Sequence, residues 1–544
     1  MLNASLVGRN ASPISSLITI LDKCKSMFQL KQIHVLLITL GLSQDEAFVS
    51  RLLSFSALSD SGCIDYSCWV LFSLSKPKIF NWNTVIRGYS KSKKPNESIS
   101  LFVKMLRVGV FPDHLTFPFL AKASACLLKR ELGLAIHGYI TKAGYESDRF
   151  VSNSLIHMYS SFRDIPNARK VFDGIPVKNL VSWNSMLDGY AKCGDISMAR
   201  QVFDLMPEQD VLSWSCLIDG YVRKGDYDEA LAVFEEMRVS GPKPNEVTMV
   251  SVLCACAHLG ALDKGRMMHH YVIDNELPLT LVLRTSLVDM YAKCGAIQEA
   301  LHVFRSGLMK PSDVFIWNSM IGGFACHGLV KESLDLFSEM HIVGVKPDEI
   351  TYLNLLSACA HGGLVKEAWY FFDCLGKNGM TPKSEHYACM VDVMARAGQV
   401  AEAYQFLCQI PIQPTASMLG ALLNGCMNHG KLDLAETVGR KLIELEPHQD
   451  GRYVGLSNVY AIFRRWDKAR SMREAMERMG VKKSPGYSFV EMHGALHRFV
   501  AHDKSHPSSE QIYMMLGFIV SQMKHIVDYE NQEYYFYDNE GKLL

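Results

Sequence analysis

Residues 180–210 read LVSWNSMLDGYAKCGDISMARQVFDLMPEQD, and this segment decides the fold. Its first half has apolar residues at positions i, i+3, i+4 and i+7, which is the pattern of one helical face. These residues are Trp183, Met186, Leu187 and Tyr190. After the turn signal Gly194-Asp195 the same spacing recurs until Pro207 stops it. The apolar residues of this second half are Ala199, Val202, Phe203 and Met206. The segment therefore predicts two helices joined by a turn.

The helix pair recurs along the chain as a repeat. The tryptophan at 183 returns 31 residues later as Trp214, and equivalents stand at Trp82 and Trp317. From residue 79 to 383 the units are 35, 35, 31, 31, 35, 35, 33, 35 and 35 residues long. The remaining units are a shorter one at 384–415 and two weaker ones at 14–45 and 46–78, which gives about twelve in all. Since a single pair cannot bury its own apolar faces, we expect successive pairs to stack.

The composition limits the class of protein. The 544 residues include 56 basic and 56 acidic side chains, so global basicity gives no argument for binding nucleic acid. Any site for a polyanion must come from local segregation of charge. The 15 cysteines form no Cys-x-x-Cys and indicate small buried residues in a reducing compartment. No apolar run reaches the roughly 18 residues that a membrane helix needs, which predicts no membrane partner.

The N-terminus has the composition of an organelle-targeting segment. Before Asp22 there are four serines and one arginine, Arg9, but no acidic residue. We expect a transit segment that covers at least residues 1–13 and directs the chain to a mitochondrion or chloroplast, with a slight preference for the mitochondrion.

Three longer strings carry a family resemblance: WNSMLDGYAKCGDISMARQVFDLMPEQD, EVTMVSVLCACAHLGALDKGRMMHHYV and EITYLNLLSACAHGGLVKEAWYFFD. Together with the alternating unit lengths, they resemble the plant pentatricopeptide-repeat proteins of the PLS class, in which standard, long and short repeats alternate. The resemblance runs from about residue 14 to about residue 527. It implies an all-α fold, a right-handed α-solenoid of stacked helix-turn-helix repeats over 14–415 with a small C-terminal extension.

The C-terminal region resembles further segments of that family. Residues 416–450 and 451–484 resemble its two E motifs, again as helix pairs, and 485–527 resembles its E+ extension. The alternation in SFVEMHGALHRFVA predicts a short hairpin of strands there. Residues 528–544 are expected to form a flexible tail.

In this architecture each repeat reads one unstacked RNA base with two or three side chains. Because every first helix begins on the same face, the residue after the tryptophan position and the last residue of the repeat are expected to lie together there. Helix capping explains a single such residue, but it does not require two positions to vary together among small polar types. The expected base-reading pairs are Asn83 with Asp113, Asn153 with Asn179, Asn184 with Asp210, Ser215 with Asn245, Thr285 with Asp313, and Asn318 with Asp348.

The resemblance also implies which base each pair prefers. Asn with Asp favours U, Asn with Asn favours C or U, Ser with Asn favours A, and Thr with Asp favours G. Two long repeats, 114–148 and 246–280, have Pro118 and Val250 at the reading position and specify no base. The implied RNA core is U-?-Y-U-A-?-G-U, with the protein N-terminus at the RNA 5′ side.

Two more repeat positions favour RNA. The second residue is often bulky and apolar, which suits a wedge between bases or, alternatively, packing against the neighbouring repeat. The wedge candidates are Phe80, Val181, Leu212, Val282 and Phe315. The thirteenth residue is often basic, which suits phosphate contacts or, alternatively, a solvated helix C-terminus. The phosphate candidates are Lys91, Lys192, Arg223 and Lys293.

A catalytic or metal site is not indicated. A zinc-dependent deaminase needs a His-x-Glu and a Pro-Cys-x-x-Cys, and neither occurs in this sequence. His493 with His497, and His502 with His506, have the i, i+4 spacing of metal ligands, but they lack a third and a fourth ligand. We therefore expect no enzymatic activity, no catalytic residue, no cofactor and no metal.

The resemblance implies a sequence-specific binder of single-stranded organellar RNA that acts as a site-recognition factor for C-to-U editing. The implied partners are the transcript, a deaminase-bearing DYW-type protein acting in trans, and the multiple organellar RNA editing factors. A factor for RNA splicing, stability or translation is the alternative within RNA biology. A helical scaffold that binds proteins is the alternative from another class, and the small polar residues at the reading positions favour RNA over it.

Overall fold

The structure, a computed structural model, describes residues 13–306, 313–483, 486–492, 495–500 and 503–533. The helices up to residue 259 are α1 (Pro13–Asp22), α2 (Met27–Thr39), α3 (Glu46–Leu58), α4 (Ile64–Ser73), α5 (Ile79–Lys91), α6 (Asn96–Arg107), α7 (Thr116–Leu127), α8 (Arg130–Ala143), α9 (Arg149–Ser161), α10 (Ile165–Asp173), α11 (Leu180–Cys193), α12 (Ile196–Asp204), α13 (Val211–Lys224), α14 (Tyr227–Ser240) and α15 (Glu246–Leu259). The elements after it are α16 (Leu262–Asp274), α17 (Leu281–Lys293), α18 (Ile297–Arg305), α19 (Val314–Cys326), α20 (Val330–Ile342), α21 (Glu349–Gly362), α22 (Val365–Lys377), α23 (Ser384–Arg396), α24 (Val400–Gln409), α25 (Ala416–Asn428), α26 (Leu432–Leu445), α27 (Asp450–Ile462), α28 (Trp466–Arg478), β1 (Tyr487–Met492), β2 (Ala495–Val500) and α29 (Ser509–Glu533).

The pair α11 and α12 shows how the sequence forms one repeat. The Asn179 side chain accepts a hydrogen bond from the backbone N–H of Ser182 and so caps the start of α11. Gly194 ends that helix in the left-handed region, with φ 84°, where a side chain would be strained. Asp195 then caps α12 by accepting from the N–H of Met198. A turn of two residues between two capped helices makes them antiparallel neighbours.

Successive repeats pack through a recurring aromatic contact. The phenylalanine near the end of one second helix meets the tryptophan of the next first helix edge to face, a geometry that aromatic rings favour. The pairs are Phe172 with Trp183 at 5.0 Å between ring centres, Phe203 with Trp214 at 4.7 Å, and Phe304 with Trp317 at 5.0 Å. First helices also approach closely, since a Cβ added at Gly220 would lie 2.9 Å from that of Ala191. The predicted all-α fold of stacked helix-turn-helix repeats is confirmed.

The chain divides into two compact units between Val252 and Leu253. In the first, the apolar faces of α1 to α14 form the core of the stack, with Trp82, Tyr159 and Phe234 among its fully buried side chains. In the second, the cluster around Leu422 and its neighbours joins α23 to α26. The core is thus distributed along each stack, as expected where each repeat contacts its neighbours.

The C-terminal extension contains the hairpin that the alternation predicted. Strands β1 and β2 pair antiparallel, with Tyr487 opposite Val500. The Glu491 carboxylate on β1 reaches the start of α16 and accepts hydrogen bonds from the backbone N–H groups of Asp263, at 2.7 Å, and Lys264, at 3.0 Å. Helix α16 has no side-chain cap of its own. Glu491 therefore supplies the missing cap from 228 residues away in the sequence.

The structure bears in part on the sequence expectations for the chain ends, the cysteines and membrane spans. Helix α29 includes residues 528–533 of the expected tail. The rest of that tail, like residues 1–12 of the expected transit segment, lies outside the described residues. The 15 cysteines are free thiols, but the expectation that they are buried fails for Cys63, Cys126, Cys326 and Cys408, which are exposed. In the described part of the chain, no helix combines the length and apolar character that a bilayer span requires.

Candidate nucleic-acid interface

The first expected base-reading pair is joined by a hydrogen bond. Asn83, on α5, donates from Nδ2 to Oδ1 of Asp113 at 2.9 Å. The same Asp113 oxygen accepts from the backbone N–H groups of Leu115 and Thr116 at the start of α7, which fixes the carboxylate in place. The Thr116 hydroxyl lies 2.7 Å from Oδ1 of Asn83 and 2.9 Å from Oδ1 of Asp113, so it bridges the pair.

The hydrogen bond from asparagine to aspartate recurs at the other two Asn-Asp pairs, and the bridging hydroxyl recurs at one of them. Asn318 Nδ2 donates to Asp348 Oδ1 at 2.9 Å, and the Thr351 hydroxyl donates to Asn318 Oδ1 at 2.7 Å. Asn184 Nδ2 donates to Asp210 Oδ1 at 3.1 Å. Three repeats therefore bring the two predicted residues into one geometry.

The remaining pairs differ from this geometry. Ser215 reaches Asn245 through Thr248: the Ser215 and Thr248 hydroxyls are 2.7 Å apart, and the Thr248 hydroxyl donates to Asn245 Oδ1 at 3.0 Å. Asn153 and Asn179 line one groove without a mutual hydrogen bond.

No hydrogen bond joins Thr285 to Asp313 among the described residues. The Thr285 hydroxyl donates to the Leu281 carbonyl at 2.7 Å, while Asp313 is exposed at the start of α19.

Each of the three aspartates uses one carboxylate oxygen for capping and, in the described part of the chain, leaves the other oxygen free. Asp113, Asp210 and Asp348 each hold their helix and their asparagine through Oδ1. Within the described residues, Oδ2 of each aspartate and the second Nδ2 hydrogen of each asparagine have no hydrogen-bond partner. A pair thus offers one N–H donor beside one anionic acceptor.

The wedge candidates are exposed. Their exposed fractions lie between 50% for Phe80 and 60% for Phe315, so about half of each residue is open to solvent. Sequence reasoning missed four other apolar residues that share the second repeat position and are exposed to a similar extent. They are Leu115, Phe150, Val247 and Ile350. Their shared second position in the repeat is the sequence signal that identifies them.

Most of the phosphate candidates are paired with carboxylates. Lys192 lies 2.6 Å from Asp188, Arg223 lies 2.5 Å from Asp219, and Lys293 lies 2.9 Å from Asp289, each four residues earlier on the same helix. Lys91 forms no ion pair among the described residues. The charge of the expected stripe is therefore largely balanced within the protein.

A groove of about 620 Å³ lies across the repeats between α5 and α11. Its cationic side chains are Arg87, Lys91, Lys122 and Arg149, and its aromatic rings are Phe119 and Phe150. It contains no carboxylate. Asn153 and Asn179, an expected base-reading pair, line the same groove, so the cationic side chains and the polar pair face one space.

The described residues include no group of three or more side chains suited to bind a metal ion. His497 Nδ1 and His506 Nε2 lie 2.9 Å apart, and the His506 ring stacks on the Phe499 ring at 5.2 Å between ring centres, so His506 packs against strand β2.

Comparison with known families identifies the repeats. The "PPR repeat family" matches residues 77–125, 209–258 and 312–361, and "PPR repeat" matches 181–211, 282–307 and 350–380. The "E motif" matches residues 429–491. The segments 77–125, 181–211 and 312–361 contain the three Asn-Asp pairs, and the E motif covers α26 to α28 and most of β1.

Curated plant proteins are similar over nearly the whole chain. A pentatricopeptide repeat-containing protein of Arabidopsis thaliana is 64% identical, over 94% of this chain and 96% of its own length. A mitochondrial one from the same plant is 36% identical, over 96% and 92%, and a chloroplastic one is 39% identical, over 91% and 89%. The crystal structure of maize PPR10 is 17% identical with a TM-score of 0.42, over 88% of this chain and 79% of that one. The chain belongs to the plant pentatricopeptide-repeat family, and its repeats and E motif fit the E subgroup of the PLS class.

Proposed function

We propose that this chain is a sequence-specific single-stranded RNA-binding protein of plant organelles. The observation that carries the proposal is the hydrogen-bonded Asn-Asp pair, repeated at Asn83, Asn184 and Asn318 with a free carboxylate oxygen beside a free amide hydrogen. Mitochondrial and chloroplastic names among the relatives support an organellar location and do not favour one organelle.

The geometry gives a chemical reason for the expected base preference. Uracil presents an N3–H donor between two carbonyl acceptors, so it complements one carboxylate oxygen and one amide N–H. Cytosine presents an unprotonated N3, which a carboxylate repels. Adenine likewise has an acceptor at N1, and the Ser215–Asn245 pair has an amide in place of the carboxylate. Small hydroxyl and amide groups thus distinguish bases by donor and acceptor position.

The exposed second-position residues supply sequence-independent contacts. Phe80 and Phe315 present ring faces, and stacking of a base on an aromatic ring contributes about 1–3 kcal/mol. Val181, Leu212 and Val282 are shorter and suit wedging beside a base. Bases held apart in this way present their edges to the polar pairs, as reading one base per repeat requires.

Within RNA biology, we propose site recognition for C-to-U editing. The E motif and the E+ hairpin follow the repeats directly, where they would hold a deaminase-bearing DYW-type protein in trans, with the multiple organellar RNA editing factors bound to the repeats. The second candidate is a splicing, stability or translation factor for one transcript, which the same reading pairs support. A protein-binding scaffold is disfavoured by the free donor and acceptor atoms on the pairs.

The code is tested with the double change Asn184→Ser and Asp210→Asn. We expect preference at the fourth base of the implied core to move from U to A, by about tenfold, since each base discrimination is worth about 1–3 kcal/mol. Binding is measured by fluorescence anisotropy with four RNAs that differ only at that base.

The matched control is Asn318→Ser with Asp348→Asn, which should move the preference at the eighth base and leave the fourth unchanged. Equal losses for all four bases at the fourth position would contradict base reading by this pair. Wild-type protein that ignored the RNA altogether would contradict the proposed function itself.

The editing role is tested by removing residues 485–544. The shortened chain keeps the repeats and should bind the same RNA with unchanged affinity, but it should no longer support editing when it replaces the full chain in the plant. Retained RNA affinity serves as the internal control for folding. If organellar transcripts stayed edited with the shortened chain, recruitment through the extension would be excluded. Plants that lack the whole protein give a second test: unaltered editing with altered splicing there would favour the second candidate.

A further inference from the structure

The groove near the N-terminal repeats owes its charge to a change at the ninth repeat position. In the repeats that begin at 180, 211 and 281 this position is Asp188, Asp219 or Asp289, and each aspartate neutralises the cation four residues later. In the repeats that begin at 79 and 114 the same position is Arg87 or Lys122. The exchange removes an acid and adds a base on the same helical face.

The four cations of the groove are available to a ligand. Arg87, Lys91, Lys122 and Arg149 are exposed and form no ion pair with any carboxylate in the described part of the chain. With no carboxylate in the lining, the groove carries four uncompensated charges on a protein whose net charge is zero. Such segregation creates a local potential that attracts a polyanion.

The groove also contains a platform for a base. The Arg87 guanidinium lies 5.8 Å from the centre of the Phe119 ring, and the Phe150 ring is 70% exposed. Rings and guanidinium planes are the groups on which unstacked bases stack. Pro118, at the reading position of this repeat, has no side-chain donor or acceptor, so a base held here is not distinguished by its edge.

We propose that this groove is a sequence-independent clamp for one nucleotide of the bound RNA, with the base on Phe119 and the flanking phosphates on Arg87, Lys91, Lys122 and Arg149. The inference rests on the proposed RNA-binding function and assigns affinity and base discrimination to different side chains of the repeats. The cations around the unread repeat 114–148 supply affinity, whereas the polar reading pairs, such as Asn184 with Asp210 in a repeat whose Lys192 is balanced by Asp188, supply discrimination. The volume of about 620 Å³ falls in the range of small-molecule sites, which accommodates a nucleotide.

The electrostatic part is tested by salt dependence. The double change Arg87→Gln and Lys122→Gln should weaken RNA binding at 0.1 M salt and make the slope of log K against log salt shallower by about 0.7 for each phosphate that is no longer neutralised. The same weakening is expected for every RNA sequence. The matched control is Arg169→Gln with Asp173→Asn, which removes an i, i+4 ion pair on α10 outside the groove; it should leave the slope unchanged.

The stacking part is tested at the RNA base opposite the repeat 114–148. Phe119→Ala should weaken binding about tenfold whichever base stands there, and Phe119→Trp should restore it, because stacking does not depend on base identity. Removing that base, with an abasic nucleotide at the second position of the core, should weaken wild-type binding by a similar factor and should not weaken the Phe119→Ala variant further.

The outcomes separate the two levels of the proposal. If wild-type protein binds the RNA selectively but the groove variants keep its affinity and salt slope, the clamp is wrong and the proposed function stands, and the groove then fits an acidic protein segment better. If the Phe119→Ala effect depends on the base, the position reads sequence and the clamp is equally wrong. Absence of any RNA binding by the wild type would overturn the function on which the inference rests.

Discussion

At the scale of single residues, the position of a residue within its repeat predicted its contacts better than its chemical type did. Counting positions within the repeat placed Asn83 with Asp113 and Asn318 with Asp348, which the structure joins by hydrogen bonds of 2.9 Å. The same counting did not identify Thr116, because this residue belongs to the next repeat. In the sequence it is indistinguishable from any threonine near a helix start. Partners that lie across a repeat boundary require the packed geometry.

The charged positions show a second limit of the sequence. Basic residues at the thirteenth position were assigned to phosphate, but Lys192, Arg223 and Lys293 each lie beside an aspartate one helical turn earlier. Exposed i, i+4 pairs contribute little to stability, yet the aspartate offsets the attraction that the cation exerts at a distance. The ninth and thirteenth residues of a repeat have to be compared together, because an acid at the ninth position balances a cation at the thirteenth. Arg87 and Lys122 are ninth residues that are basic instead of acidic.

The pair in the repeat 180–210 has a defect that a single substitution should repair. Oδ1 of Asn184 is buried and has no hydrogen-bond partner, because the Ser213 hydroxyl donates to the Asp210 carbonyl at 2.8 Å instead. In the equivalent repeats a threonine reaches this amide oxygen. Ser213→Thr should therefore raise the free energy of unfolding by about 1 kcal/mol, since an unpaired buried acceptor costs about 1–3 kcal/mol.

The measurement is the midpoint of urea unfolding, followed by circular dichroism. Thr116→Ser is the reciprocal control and should lower the midpoint, because it reproduces the unpaired state in a repeat that lacks it now. A lower midpoint for Ser213→Thr would mean that the threonine methyl group cannot be accommodated and that the bridging hydroxyl is not transferable between repeats.

At the scale of helices, the periodic pattern predicted the elements well and their interfaces less well. The apolar faces and the Gly194 turn signal identify α11 and α12 from the sequence, since capping and periodicity are local properties. A recurrent contact between successive repeats is not visible in the periodic pattern: a second-helix histidine forms a hydrogen bond with a tyrosine hydroxyl of the following helix pair. The examples are His34 with Tyr66 at 2.7 Å, His137 with Tyr159 at 2.6 Å and His269 with Tyr291 at 2.9 Å.

These histidines should make the stack sensitive to acid. Burial lowers the pKa of His137 below its ordinary value of 6.5, and the nearby Glu146 carboxylate opposes this shift without cancelling it. Because the unfolded chain takes up the proton more readily, the stability contributed by the neutral ring is present above about pH 6.5 and is lost as the pH falls through the lowered pKa. Thermal unfolding should therefore occur at a lower temperature at pH 5.5 than at pH 7.5.

A variant isolates the contribution of this histidine. Asparagine places an amide atom close to the position of the imidazole Nδ1 and does not titrate, so His137→Asn should lose part of the stability at pH 7.5 and show a smaller drop between the two pH values. An unchanged drop in the variant would assign the acid sensitivity to other groups, of which His34 and His269, whose pKa values are also lowered chiefly by burial, are the first to examine.

At the scale of the whole molecule, the distribution of charge matters more than its sum. A net charge of zero argued against nucleic-acid binding only as a global property, and the groove with Arg87 and Lys122 shows where the cations are left uncompensated. The carboxylates serve other purposes. Asp113 and its equivalents cap helices and accept from the paired asparagines, and Glu491 connects the C-terminal hairpin to the start of α16.

The Glu491 contact gives a prediction for the second compact unit. A carboxylate at a helix N-terminus contributes about 0.3–1 kcal/mol when exposed and up to about 2 kcal/mol when partly buried, and α16 has no other side-chain cap. Glu491→Gln removes the charge and should speed deuterium uptake at the amides of Asp263 and Lys264 and across β1 by about fivefold. Glu510→Gln, an exposed change at the start of α29, is the control and should leave that uptake unchanged. A cap that stabilises the helix must slow the opening of the N–H groups that it accepts from. Unaltered exchange in Glu491→Gln would therefore show that the Glu491 contact does not stabilise α16, and that the strands are held only by the pairing of β1 with β2.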